Sequence, residues 1–398
     1  MAGVFDRLSE ESVVKALQEL PTPCYVIDEK VIRENGQILS EVQEHTGCRI
    51  LLAQKAFSNY DLYPALAPYL AGTEASGVFE ARLGREEMPD KEVHVFSTAY
   101  KARDMEALFN YADHIVFNSI SQLAVFGPAA KSSGMSLGLR INPEYSTQEE
   151  SHSIYDPCAT GSRLGVTRAQ WDKLMTPEVL ALLDGLHFHT LCEQDSYDLE
   201  TTLAAVEEKF GVFLQDMQWL NCGGGHHITR NGYDIKRLEK VISEVSEKYD
   251  LQVYLEPGEA CALNAGYLIA TVLDITENNG VTNVILDASA ACHMPDVLEM
   301  PYRPPLFGAG EAGEKAYPVR LGGPSCLAGD VIGNYSFDQP PKIGDRLIFG
   351  DMAIYTTCKN NTFNGMPLPD IHILHPDSTT TLVARFGYQD FKYRLGSS

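Results

Sequence analysis

The sequence predicts an α/β fold, a (β/α)8 TIM-like barrel joined to a C-terminal all-β domain. Three observations predict it. Between residues 48 and 257, eight short β-branched or apolar runs recur, each followed by a connection long enough for a helix, which is the rhythm of parallel βα units. From about residue 262 the pattern turns to strands and turns. The length, 398 residues, exceeds what one hydrophobic core normally holds, so two domains are expected.

The eight runs are RILLAQ, GTEAS, VHVFST, HIVFNS, SLGLRIN, GLHFHT, WLNCGG and VYLEPG, and eight such units close into a barrel of about 200 to 250 residues. The later strands are YLIATVLDI, VTNVILDAS, AYPVRLGG and DRLIFGDM, with breakers such as QPPKIGD between them. An early strand, TPCYVID, precedes the first barrel unit and is expected to join the β domain. The expected division is therefore residues 36–261 as barrel, and 1–35 with 262–398 as β domain.

Composition narrows the function. Hydrophobic residues at 44% and charged residues at 21% describe an ordinary globular protein. The formal charge of -23 repels phosphate surfaces, so neither nucleic acid nor an anionic membrane is an expected partner. A cationic small-molecule substrate is attracted, although acidity also serves solubility. Nine cysteines stand singly, with no C-x-x-C pair, and read as reduced thiols. The polar, amphipathic start and the lack of a membrane-length apolar run suggest a cytoplasmic protein.

In such barrels, catalytic groups stand at the carboxyl ends of the strands. That places Lys55, His189, the glycines Gly223, Gly224 and Gly225, and Glu256 on one rim. A lysine on an apolar strand is activated by desolvation, which favours the neutral amine and Schiff-base formation with an aldehyde. Three glycines let backbone N–H groups approach a phosphate after strand seven, the usual phosphate site of this fold. A carboxylate one strand away keeps a pyridine nitrogen protonated. Together they describe pyridoxal 5'-phosphate. Each group also has a plainer reading: a snorkelling lysine, a turn, a strand stop, or His187 and His189 as an H-x-H pair on zinc. No third ligand stands at useful spacing, so no metal is expected.

The chain resembles the fold-type III (alanine racemase-like) pyridoxal-phosphate decarboxylases, the group that contains diaminopimelate and ornithine decarboxylases. The motifs "AQKAFS", "HFHTLCE", "NCGGG", "EPG", "GPSC" and "AIYTTCKNNTFNG" occur in that group's order. The resemblance implies an obligate homodimer in which each active site is completed by the partner's β domain. It also implies that Lys55 carries the cofactor, His189 stacks on its ring, Gly223 to Gly225 cradle the phosphate and Glu256 bonds the pyridine nitrogen. By the same resemblance Cys326 would come from the other subunit and act as, or position, the proton donor, Tyr355 would contact the cofactor, and Phe363 would line the site. Arg163 and Asp330 match positions that meet across the dimer interface.

Two positions depart from the wider group. Where EPGR is usual the chain has EPGE, with Glu259, and after Cys326 an acidic residue is replaced by Leu327. Both departures match the branch resembling carboxynorspermidine decarboxylase, in which "EPGEA" and "HMPDVLEMPYRP" occur together. That branch acts on carboxynorspermidine or carboxyspermidine in polyamine biosynthesis, and Glu259 and Asp296 are the candidates for reading its cationic nitrogens. The alternatives are another basic amino acid decarboxylase of the group, a racemase, which Glu256 disfavours, and a non-catalytic cofactor or polyamine-pathway binding protein.

Overall fold

The computed structural model describes residue 1, residues 3–148 and residues 156–396. Two compact units divide the chain: Met1–Glu34, Ala56–Asp61 and Ala262–Ser398 form one, Asn35–Lys55 and Leu62–Cys261 the other.

The second unit is a closed barrel of eight parallel strands, β2 (Arg49–Ala53), β3 (Gly72–Ala75), β4 (Glu92–Phe96), β5 (His114–Phe117), β6 (Ser136–Arg140), β7 (Gly185–His187), β8 (Trp219–Asn221) and β9 (Gln252–Leu255). Closure is made by β9 on β2, with Tyr254 beside Arg49 and Leu255 beside Ile50. The strands read as near-continuous apolar runs because both faces are covered, by the barrel interior and by helices. The helix Ile235–Tyr249 shows how the outer layer forms. Asp234 caps it by accepting from the Arg237 N–H, Leu238, Val241, Ile242, Val245 and Tyr249 make its buried stripe, and Asp250 ends it in the left-handed region.

Side chains fill the barrel interior, among them Leu51, Val116, Trp219 and Tyr254. Trp219 needs room: a Cβ on Gly138 or Gly185 would stand 2.3 Å or 2.0 Å from its ring. At the amino end of the strands His94 and His114 are paired neighbours, their rings stacked at 3.8 Å. Burial, with His94 and Arg49 beside it, pushes the His114 imidazole down from 6.5 to about 2. The unfolded chain therefore takes up a proton that the folded chain refuses, and stability falls as pH drops below 6.5. Urea unfolding over a pH series will show this loss, and His114→Gln will make it shallower. An equally steep loss in the variant would count against it.

The other unit is built on a mixed sheet. Its strands are β1 (Cys24–Asp28), β10 (Gly266–Asn278), β11 (Val281–Leu286), β12 (Tyr317–Gly322), β13 (Val331–Phe337), β14 (Arg346–Gly350), β15 (Asp370–Leu374) and β16 (Thr380–Ala384). They run in the order β13-β12-β11-β10-β1-β15-β16, with β14 also on β10. The early strand β1 lies antiparallel to β10 and parallel to β15.

This unit is not wholly β. The helix Glu11–Gln18 buries Val13 and Leu17 in a cluster with Cys24, Val26, Tyr267 and Ile269, each such side chain contributing about 1.5 to 3 kcal/mol. A sheet face has to be covered, and an amphipathic segment supplies the cover. The helices Ala290–His293, Asp296–Glu299 and Thr356–Lys359 are four residues long and too short to show a period in sequence. Residues Ala56–Asp61, expected in the barrel, group with the sheet unit: the Tyr355 N–H donates to the Ala56 carbonyl at 2.8 Å, and Thr357 bonds Asn59. No helix among the described residues is long and apolar enough to cross a membrane.

Candidate active site

Parallel strands in a closed barrel bring their carboxyl ends to one rim. Strand β2 ends at Ala53, so Lys55 stands two residues past it, as His189 does past β7. Glu256 follows β9 directly, and the glycine triplet follows β8.

Lys55 does not stand as a neutral amine. Its Nζ lies 3.2 Å from Oε2 of Glu74, the third residue of β3. About a third of the Lys55 side chain stays accessible (36%), while Glu74 is buried. Burial pulls the ammonium pKa down, but Glu74 and Glu256 outweigh burial and raise it. The expectation of a desolvated, neutral lysine is therefore corrected: two carboxylates hold the charge that one apolar strand would have expelled. Burial also raises the Glu74 carboxyl, to about 7, with Glu256 adding to the rise. Two acids share one lysine here, and Glu74 is the one that gives way to a proton first.

Glu256 is the fixed anion. Its Oε1 accepts from Asn221 Nδ2 at 2.5 Å, and Oε2 lies 3.2 Å from His187 Nε2. Asn221 Oδ1 accepts from the Gly223 N–H at 2.8 Å, so the carboxylate and the glycine turn are braced by one side chain. Burial works against the charge, yet His187 and Lys55 overcome it and lower the carboxyl pKa.

His189 Nδ1 accepts the Gly224 N–H at 3.0 Å, which leaves the ring proton on Nε2 and the imidazole neutral. Burial, then Lys55 and Arg140, lower its pKa well below the usual range. His187 and His189 are thus engaged by different partners, which speaks against a shared zinc. Gly223 and Gly225 have φ of 71° and 81°, and a Cβ on Gly225 would lie 2.1 Å from the Leu191 carbonyl, so no larger residue fits. Glu259 Oε2 accepts from His227 Nε2 at 2.7 Å.

Glu74, Arg140 and Asn221 were not picked out from the sequence, though GTEAS, SLGLRIN and WLNCGG each place a polar residue late in an apolar run. Arg140 ends β6, donates to the His189 carbonyl at 3.2 Å and lies over the Phe96 ring. Among the described residues one His/Glu group, Glu92, His94 and His114, brings its donor atoms within 4.8 Å, but at the opposite end of the strands, where Arg49 pairs with Glu92.

The remaining predicted residues belong to the sheet unit. Tyr355 has left-handed backbone (φ 56°). Cys326 is exposed, its N–H donating to Asn364 Oδ1 at 3.1 Å, and Leu327 and Phe363 are 44% and 49% exposed. Asp296 pairs with Lys359, which also reaches Glu299. Asp330 is buried, accepting from Ser289 at 2.8 Å and Ser325 at 2.6 Å, so it braces the loop that carries Cys326.

A profile of the family described as "Pyridoxal-dependent decarboxylase, C-terminal sheet domain" matches residues 24–353. The chain belongs to this decarboxylase family. The decarboxylase is 43% identical over 383 residues to carboxyaminopropylagmatine decarboxylase of Synechocystis sp., covering 96% of this chain and 97% of that one. It is 39% identical to the carboxynorspermidine/carboxyspermidine decarboxylase of Campylobacter jejuni, covering 95% of this chain and 99% of the relative. The crystal structure of the C. jejuni carboxynorspermidine decarboxylase complexed with norspermidine superposes with a TM-score of 0.86, over 94% of this chain and all of that one (100%). Diaminopimelate decarboxylase of Helicobacter pylori, at 18% identity and a TM-score of 0.78, shares the decarboxylase's fold.

Proposed function

We propose that this decarboxylase removes carbon dioxide from carboxynorspermidine and carboxyspermidine, giving norspermidine and spermidine, with pyridoxal 5'-phosphate attached at Lys55. The observation that carries the reading is the rim itself: one accessible amine between Glu74 and an anion, Glu256, braced to the glycine turn. This donor set fits the cofactor. Lys55 supplies the amine for its aldehyde, His189 a neutral ring for its face, and Glu256 a partner for a protonated pyridine nitrogen. When bound, the cofactor supplies an electron sink for the carbanion left by carbon dioxide. Glu256 keeps that sink charged, and Cys326 of a partner subunit would hold the proton that returns to carbon. Leu327 and Phe363, apolar yet exposed, support a homodimer with shared sites, as do Tyr355 and Cys326 lying outside the barrel unit.

A second reading takes carboxyaminopropylagmatine as substrate, and the 43% identity to that enzyme favours it. The names describe molecules that share a carboxylated aminopropyl end and differ at the far end, an amine against a guanidinium. A carbon dioxide release assay with carboxynorspermidine, carboxyspermidine, carboxyaminopropylagmatine, diaminopimelate and ornithine will show the largest kcat/KM for one of the first two. A larger value for the third selects the second reading, and a larger value for either amino acid overturns both.

Glu74→Gln is expected to lower the Lys55 pKa, since one of the two carboxylates that oppose burial is lost. Only the neutral amine attacks an aldehyde. Uptake of pyridoxal phosphate by the apo-protein, followed by stopped-flow absorbance over a pH series, will therefore reach half its maximal rate at lower pH than in the wild type. An unshifted profile would refute the role given to Glu74.

A further inference from the structure

We propose that His227, held by Glu259, is the cationic side chain that grips the phosphate of pyridoxal phosphate beside the glycine triplet. The inference rests on the cofactor reading above and adds a residue that reading lacks. The turn Gly223–Gly225 offers backbone dipoles but no charge, and a phosphate bound in a closed rim calls for a cation. Two of the rim's cations are committed elsewhere. Lys55 faces Glu74 and Glu256, and Arg140 donates to the His189 carbonyl and covers Phe96.

His227 follows the triplet by two residues and is tied to it. Its N–H donates to the Gln194 carbonyl at 3.2 Å, and the Gln194 N–H donates to the Gly225 carbonyl at 3.0 Å. One ring nitrogen, Nε2, donates to Glu259 at 2.7 Å. The other, Nδ1, is buried and has no hydrogen-bond partner, and the side chain as a whole is 10% exposed. A buried imidazole with one nitrogen paired to a carboxylate and the other orphaned is a donor waiting for an acceptor. Burial disfavours its charge, but the Glu259 hydrogen bond, with Glu193 near and Arg230 opposing, raises the pKa. Glu259 is then a positioning residue that holds the imidazolium through Nε2, which leaves the Nδ1–H as the donor that would serve the phosphate.

The test uses the full-length apo-protein and two probes, pyridoxal phosphate and pyridoxal, which lacks the phosphate. Equilibrium titration by absorbance is expected to show His227→Gln binding pyridoxal phosphate roughly tenfold or more weakly, the scale of one charge-assisted hydrogen bond, with pyridoxal affinity unchanged. Glu259→Gln will show a smaller loss with the same selectivity, and Arg230→Gln none. The proposal is overturned if His227→Gln binds pyridoxal phosphate as tightly as wild type, if it loses both probes alike, or if the loss follows Arg230→Gln. A wild-type chain that binds neither probe overturns the cofactor reading itself. At saturating pyridoxal phosphate, the 31P shift of the bound cofactor will differ between wild type and each of the His227 and Glu259 variants; identical shifts count against the proposal even if one variant folds poorly.

Discussion

Lys55→Ala will abolish decarboxylation and the visible absorbance of the lysine-linked cofactor. The argument is positional as well as chemical. Lys55 Nζ is the amine flanked by Glu74 at 3.2 Å and influenced by Glu256, and it is the group placed to attack an aldehyde at this rim. Alanine removes the attachment point for the cofactor's aldehyde. Removing the residue that makes the covalent link leaves only what binding and the surrounding charges supply, so the loss should be roughly 10^3-fold or greater. The fold should survive, because burial already raises the Glu74 carboxyl to about 7 and loss of the ammonium that opposes this rise lets it take a proton. Carbon dioxide release and thermal unfolding checked together decide the matter. Turnover near the wild-type rate, in a folded variant, would end the assignment of Lys55.

Glu256→Gln is the second large effect. The amide keeps the shape and can still bond Asn221, but it removes the negative charge that His187 and Lys55 stabilise. Glu256 is the residue that would hold a bound pyridine nitrogen protonated, so the variant would weaken the electron-withdrawing chemistry that pyridoxal phosphate would supply. Removing one preorganised electrostatic partner typically costs about 10^2 to 10^3 in kcat, and that is the expected loss. KM should change little, since the interaction strengthens as charge develops and not on binding. A kcat close to wild type would mean that the ring's charge is set by some other group.

Much of this was legible beforehand. Barrel strands buried on both faces must be apolar throughout, so RILLAQ or SLGLRIN announces itself without knowledge of its neighbours. A charged residue at the end of such a run is conspicuous for the same reason, which is how Lys55 and Glu256 stand out. Glu74 and Arg140 obey the same rule and were visible by it. The short helices of the sheet unit were not, because four residues carry no period.

The amino-acid order by itself determined the eight strands, the switch to a sheet-rich second part, and the rim on which Lys55, His189, Gly223 to Gly225 and Glu256 meet. Only the tertiary structure decided the charge states and loyalties of those groups. It keeps Lys55 an ammonium, gives Glu259 to His227 and Asp296 to Lys359, and buries Asp330 against two serines. The reason is distance: Coulomb and hydrogen-bond energies act over a few ångströms, and Glu256 and His187 are 69 residues apart in sequence until the barrel closes.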